Sequence, residues 1–301
     1  MKPNAAEGDA VLLANSVPIR RIGFGAMRIT GRGVWGPPAD SNAAINLLRH
    51  AVDLGVNFID TADSYGPAIS EELIEAALRP YSSNIIIGTK GGMTRAGPWK
   101  WEINGRPDHL RACVEESLRR LKTETIDLYQ FHRPDPKVPV EESLGALAEM
   151  QNAGKIRFIG VCNVDSAMLD RCYKATTIVS VQNHYNLISR TDHLVLEACA
   201  TRRLVFFSYF PLGDAGDGCA PKLVSADPEH PLATIAAKLG ATIAQVALAW
   251  IVKTLPFAVP IPGTGSLQHL KENFGAIEVA ARLTQDDLQC LSMVPTSAAS
   301  Y

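Results

Sequence analysis

Short apolar runs, rich in β-branched and aromatic residues, recur along this chain and alternate with segments of helical period. The runs fall at residues 56–59, 84–87, 126–131, 156–161, 178–181, 204–207 and 257–259, and a run at 21–25 opens the series. Continuous apolar stretches of this length suit strands buried on both faces, as in a parallel sheet. Between them, residues 43–54 set Ala44, Ile45, Leu48 and Val52 on one stripe, and residues 110–121 do the same with Val114, Leu118 and Leu121. Asp108 stands where an N-cap belongs, with Glu115 and Glu116 before Arg119, Arg120 and Lys122, the charge order a helix dipole favours. Residues 141–153 repeat the pattern and stop at Gly154, a natural left-handed terminator.

Strand and helix alternate about eight times in 301 residues, with no linker or low-complexity tract. That count predicts an α/β fold of the (β/α)8 TIM-barrel type, a single domain over 1–301. Residues 1–17 are expected as a flexible N-terminal extension and 294–301 as a C-terminal tail.

Composition removes several functions. Lys and Arg number 29 against 31 Asp and Glu, a net charge of -2, which gives no global attraction for nucleic acid or anionic membrane. The six cysteines are scattered with no C-x-x-C pair, so neither a disulfide framework nor a metal site is expected. The first residues hold only a five-residue apolar run, too short for a signal peptide. The most apolar helical stretch, 241–252, is too short to span a bilayer. A cytoplasmic protein, monomeric or weakly self-associating, is the expectation.

In a barrel the active site lies at the C-terminal ends of the strands. The second run ends in Asp60, with Tyr65 shortly after; the third ends in Lys90; the fourth in His132. The next three end in Cys162 and Asn163, in Gln182 and Asn183, and in Ser208 and Tyr209. Taken singly, Asp60 reads as a cap and Lys90 as a surface charge. Together, a phenol, an ammonium, a carboxylate and an imidazole at one mouth form a proton-transfer set. A phenol gives up its proton reluctantly at neutral pH, and a nearby ammonium eases that. The set suits protonating an oxygen as a carbonyl becomes an alcohol. It lacks an electron source, so a cofactor must supply the hydride.

At this point the sequence resembles a known family. Residues 57–66 (NFIDTADSYG), 127–132 (DLYQFH), 154–163 (GKIRFIGVCN) and 181–186 (VQNHYN) resemble the signatures of the aldo-keto reductase superfamily, in order, from about residue 18 to 293. Residues 34–38 and 209–213 resemble most a bacterial subgroup that includes pyridoxal reductases (pyridoxine 4-dehydrogenases). The resemblance implies a barrel that binds NADPH, with NADH as an alternative donor, and lacks a Rossmann domain. In agreement, Gly23-Phe24-Gly25 is not completed to G-x-G-x-x-G, since Arg28 holds the sixth position.

By the same resemblance Tyr65 is the general acid, Lys90 tunes it, Asp60 pairs with Lys90, and His132 orients the carbonyl. Asn163 and Gln182 would hold the nicotinamide carboxamide, with Cys162 where the family often has Ser, and Tyr209 would stack on the ring. Met27, Phe210, Leu212 and Gly213 would complete that part of the cofactor site. Gly263, Thr264, Gly265, His269, Glu272 and Asn273 match its adenosine-phosphate end. His269 replaces an Arg that many members use for the 2′-phosphate, which thins the clamp; Lys271 or Lys222 would compensate.

Trp35, Trp99 and Trp101 on mouth loops suit a pocket for a small carbonyl substrate. The long loops at 91–107 and 213–230 point to function or mobility. Trp250 reads as core, and His50, His109, His184, His193 and His230 as surface or satisfied polar groups. Pyridoxal, aryl aldehydes and bulky cyclic ketones fit the class. Two other readings stay open: a non-catalytic NADPH-binding accessory subunit, and a Schiff-base lyase with Lys90 as nucleophile.

Overall fold

The computed structural model describes residues 10–190, 193–213, 223, 227 and 229–296. An N-terminal hairpin comes first, β1 (Ala10–Leu13) and β2 (Val17–Arg20), paired antiparallel with Leu13 opposite Val17. The barrel strands follow: β3 (Phe24–Gly25), β4 (Phe58–Asp60) and β5 (Ile86–Gly91). After them comes a second hairpin, β6 (Met93–Gly97) and β7 (Lys100–Ile103). The barrel then resumes with β8 (Ile126–Phe131), β9 (Ile156–Cys162), β10 (Ser180–His184), β11 (Val205–Tyr209) and β12 (Ala258–Pro260).

The eight barrel strands are parallel and run β3-β4-β5-β8-β9-β10-β11-β12. Two backbone bonds close the ring: Gly23 N–H donates to the Pro260 carbonyl at 3.0 Å, and Gly25 N–H to that of Pro262 at 3.3 Å. The seam is tight. A Cβ on Gly25 would sit 2.6 Å from the Ile261 carbonyl oxygen, and one on Gly263 would sit 2.7 Å from that of Gly25.

Helices α1 (Ser41–Asp53), α2 (Ile69–Leu78), α3 (Pro107–Leu121), α4 (Val140–Asn152) and α5 (Ser166–Ala175) cover the first part of the ring. The rest is covered by α6 (His193–Arg202), α7 (Pro231–Leu239), α8 (Ile243–Thr254), α9 (Leu267–Arg282) and α10 (Gln285–Ser292). Adjacent strand residues serve opposite layers. Phe58, Ile86, Leu128 and Phe207 fill the interior, where Phe58 stacks on Phe207 with centroids 4.2 Å apart. Ile59 and Ile87 face α1 and α2 instead. Both strand faces are therefore buried, which is why the runs are apolar throughout rather than alternating. Trp250 is core as expected, 4% exposed and stacked on Tyr185.

Four expectations need correction. Within the stretch expected as a flexible extension, residues 10–13 form β1, and Leu13, with Ile19 of β2, is fully buried and closes the floor of the barrel. Ala14 and Asn15, at φ 50° and 56°, supply the left-handed backbone of the three-residue connection Ala14–Ser16 between Leu13 and Val17. The core stripe of α1 is Ala44, Leu47, Leu48 and Ala51, with Ile45 and Val52 only partly buried. Asp108 does not cap α3: Arg106 holds the cap and Pro107, with its φ preset, starts the helix, leaving Asp108 in the first turn. Finally, Val294, placed in the tail, is buried. Among the described residues no single helix is long and apolar enough to cross a membrane; the bent pair α7–α8 passes by length and composition, and its apolar residues lie in the core.

Candidate active site

The polar strand ends predicted from the sequence meet at the C-terminal mouth. Lys90 leaves β5 with its ammonium 1% exposed. Its Nζ donates to Asp60 Oδ2 at 2.7 Å and to the Thr61 carbonyl at 2.9 Å, and lies 3.4 Å from the Tyr65 hydroxyl. Asp60 Oδ1 accepts from Gln182 Nε2 at 2.7 Å and from Gln130 Nε2 at 3.2 Å. The carboxylate is thus held from four strands, β4, β5, β8 and β10. Gln130 falls inside the 127–132 signature but has no role assigned from sequence. It stands two residues before His132, the same side of β8, which was the available signal.

Burial pushes the Tyr65 hydroxyl up to about 12; Lys90 pulls it back only in part, and Asp60 works against that pull. Burial alone would lower Lys90, but the Asp60 carboxylate, with Tyr65 and Cys162 adding to it, outweighs burial and keeps the ammonium charged. His132 is held well below its ordinary value by burial, with the charges of Lys90, Arg133 and Arg95 adding to the effect. At neutral pH the site therefore presents a protonated phenol, a neutral imidazole and a neutralised ion pair. Lys90 acts on Tyr65 in the expected direction, and desolvation is the larger effect.

A cavity of about 490 Å³ opens over this group. Asp60, Tyr65 and His132 form its base. One wall carries Gly25, Met27, Arg28 and Gly263; another carries Asn163, Gln182, Tyr209, Phe210, Leu212 and Gly213. The third is the β6–β7 hairpin, through Met93, Trp99, Trp101 and Ile103. Tyr65, Trp101 and His132 meet edge to face, with centroids 6.1 to 6.4 Å apart. Asn163, in left-handed backbone at φ 57°, donates from Nδ2 to the His132 carbonyl at 2.9 Å and accepts from the Tyr209 hydroxyl at 2.7 Å. Tyr209 is itself stacked on His184, centroids 5.5 Å apart.

Other predicted residues stand off the cavity. Cys162 is buried behind it, its thiol facing Gln130 Oε1 at 3.7 Å. Trp35 is 37% exposed and lies on the outer side of Arg95. Thr264 accepts from Ser266 N–H at 3.0 Å in the turn before α9, whose N-cap Ser266 accepts from His269 N–H. Asn273 is buried further along that helix, and Glu272 accepts from Gln268. Gly265 and His269 lie at the helix entrance, outside the cavity lining. Lys222 and most of the 213–230 loop lie outside the described residues.

Two cations were not foreseen. Arg95 clasps the mouth: Nη1 donates to the Val34 and Ser64 carbonyls (2.8 and 2.9 Å), Nη2 to those of Gly33 and Gly97 (2.8 and 3.2 Å). Its guanidinium lies 3.6 Å from the centroid of the Trp101 ring. Arg133, directly after His132, lines the cavity.

A match to the model of the aldo/keto reductase family covers residues 21–293. The chain belongs to that family. It is 40% identical over 265 residues to the pyridoxine 4-dehydrogenase of Escherichia coli, covering 86% of this chain and 89% of that protein. Similarity to an uncharacterized oxidoreductase of Schizosaccharomyces pombe is 39% over 289 residues, 94% of this chain and 91% of the other. Among solved structures, a thermostable aldo-keto reductase in complex with the inhibitor epalrestat matches with a TM-score of 0.80 at 32% identity, covering 94% of this chain and 98% of that one. An aldo-keto reductase from Klebsiella pneumoniae in complex with NADPH matches at 0.79 and 26%, covering 96% of each. The chain is an oxidoreductase of the aldo/keto reductase family with the (β/α)8 fold.

Proposed function

We propose that this aldo/keto reductase reduces an aldehyde or ketone to an alcohol with NADPH, Tyr65 serving as the general acid. The observation that carries the reading is the Tyr65 hydroxyl, facing the cavity 3.4 Å from a buried ammonium and edge-on to a neutral His132. Bound NADPH supplies the hydride. As charge develops on the substrate oxygen, Tyr65 gives up its proton, because an alkoxide is a far stronger base than a phenolate. The Lys90 ammonium then lies next to the new phenolate and stabilises it. Asp60 keeps that ammonium in place, and His132 offers a ring nitrogen to orient the oxygen. The aromatic hairpin excludes water from the reacting atoms.

The residues present suit the cofactor. Gln182 spends Nε2 on Asp60 and Gln130, leaving Oε1 to accept from a carboxamide. Asn163 would share that task. Tyr209, backed by His184, offers a ring to stack on, and Phe210, Leu212 and Gly213 continue that wall. Gly263, Arg28 and the start of α9 would meet the phosphates, as a helix N-terminus favours anions. Met27 lines the same end. Thr264, Gly265, His269, Glu272 and Asn273 would shape the adenosine end. NADPH and NADP appear in the Klebsiella relatives.

The lyase reading fares worse, since Lys90 is buried below the cavity floor and held protonated, which denies it the lone pair a Schiff base requires. Against an accessory role, the four-residue set is complete and assembled. The deciding experiment follows NADPH and NADH consumption against pyridoxal, aryl aldehydes, sugar-derived aldehydes and cyclic ketones. Turnover of at least one, faster with NADPH, is expected. Tight NADPH binding with no turnover across the panel contradicts the reading.

A further inference from the structure

We propose that Arg133 is an anion anchor in the substrate half of the cavity, so that the preferred substrates are carbonyl compounds carrying a carboxylate or a phosphate. The assignment rests on the carbonyl-reductase reading. Arg133 lines the cavity directly after His132, and its buried Nε has no hydrogen-bond partner. Among the described residues no carboxylate forms an ion pair with it. Among the described residues the one carboxylate lining the cavity, Asp60, is already matched by Lys90. A buried guanidinium N–H with no partner among the described residues is costly, and an anionic group of the substrate would relieve that cost with paired, charge-assisted bonds.

Phosphates of the cofactor are the other source of anionic oxygens, and position argues against them. In the closed ring β8, which ends two residues before Arg133, lies four strands from β12 and three from β3, across from the seam. Arg28, whose Cγ packs near Gly263 at that seam, is the cation on the phosphate side. The Trp99, Trp101, Ile103 and Met93 wall is apolar, so the anchor fixes one end of a substrate whose body is flat or apolar.

The test compares 4-carboxybenzaldehyde with its methyl ester, and benzoate with benzamide as quenchers of the cavity tryptophans. Arg133→Leu should lose roughly 10- to 100-fold in kcat/KM for the acid, mostly through KM, and less than about 3-fold for the ester. NADPH affinity should stay unchanged, and Arg133→Lys should restore part of the loss. A wild-type protein indifferent to the carboxylate overturns the anchor, as does a variant that weakens NADPH binding and both aldehydes alike. If neither aldehyde is reduced, the carbonyl-reductase reading is decided by its own panel, and the quenching still decides the anchor. Benzoate binding lost in Arg133→Leu supports the anchor, and benzoate binding as well as before overturns it.

Discussion

Lys90 and Asp60 form an ion pair at 2.7 Å in which neither side chain is more than 3% exposed, and the Tyr65 hydroxyl sits 3.4 Å from its cationic end. A buried pair is expensive to make and more expensive to break, since one partner alone leaves an uncompensated charge. Asp60→Asn should therefore cost about 3 to 5 kcal/mol of stability. It should also lower kcat by roughly 100-fold, the low end for general acid catalysis. Urea unfolding and steady-state kinetics check both.

Arg95 ties the Gly33–Val34 turn, Ser64 beside Tyr65, and the β6–β7 hairpin into one unit. Arg95→Ala should loosen the tryptophan wall while leaving the Lys90–Asp60 pair intact. KM should rise by about 10-fold with a smaller change in kcat, accompanied by a shift in tryptophan emission. An unchanged emission spectrum would contradict the clasp.

Gly25 and Gly263 meet where the barrel closes, with no room for a methyl group between carbonyls. Gly25→Ala should destabilise the protein by about 1 to 3 kcal/mol, the usual cost of overpacking. The denaturation midpoint should fall with the slope unchanged.

Asp63, two residues before Tyr65, is pushed up to about 7 by burial, with Glu71 adding to the shift and Cys113 and Arg120 opposing it. Its folded value is raised above the unfolded one, so its contribution favours folding at low pH and is lost as pH rises from about 4 through about 7. Asp63→Asn should remove that dependence, gaining stability relative to the parent at pH 8 compared with pH 4. Unfolding curves at both pH values check the sign.

The barrel was legible because buried parallel strands must be apolar on both faces, a pattern few folds share. The four proposed catalytic residues were legible because Asp60, Lys90 and His132 stand at or just past strand ends and Tyr65 follows Asp60 by five residues. Arg95, Gln130 and Arg133 were not. Arg95 lies on a hairpin inside what reads only as a long loop, and its partners are backbone carbonyls, which leave no mark in sequence. Gln130 lies inside an apolar run whose inward residues become polar only at the top of the barrel. Arg133 follows a residue that had already drawn the attention. The N-terminal hairpin was missed because its Ala14–Ser16 connection lacks the glycine that usually signals one.

Tyr65→Phe tests the central claim most directly. The variant keeps the ring and its contacts with Trp101 and His132 and removes only the proton donor. With a carbonyl substrate the parent turns over, it should lose at least about 100-fold in kcat. In a fluorescence titration its affinity for NADPH should stay within about 3-fold of the parent, since the lost hydroxyl acts on the reacting oxygen rather than on the cofactor. Near-parent kcat in this variant would contradict the account.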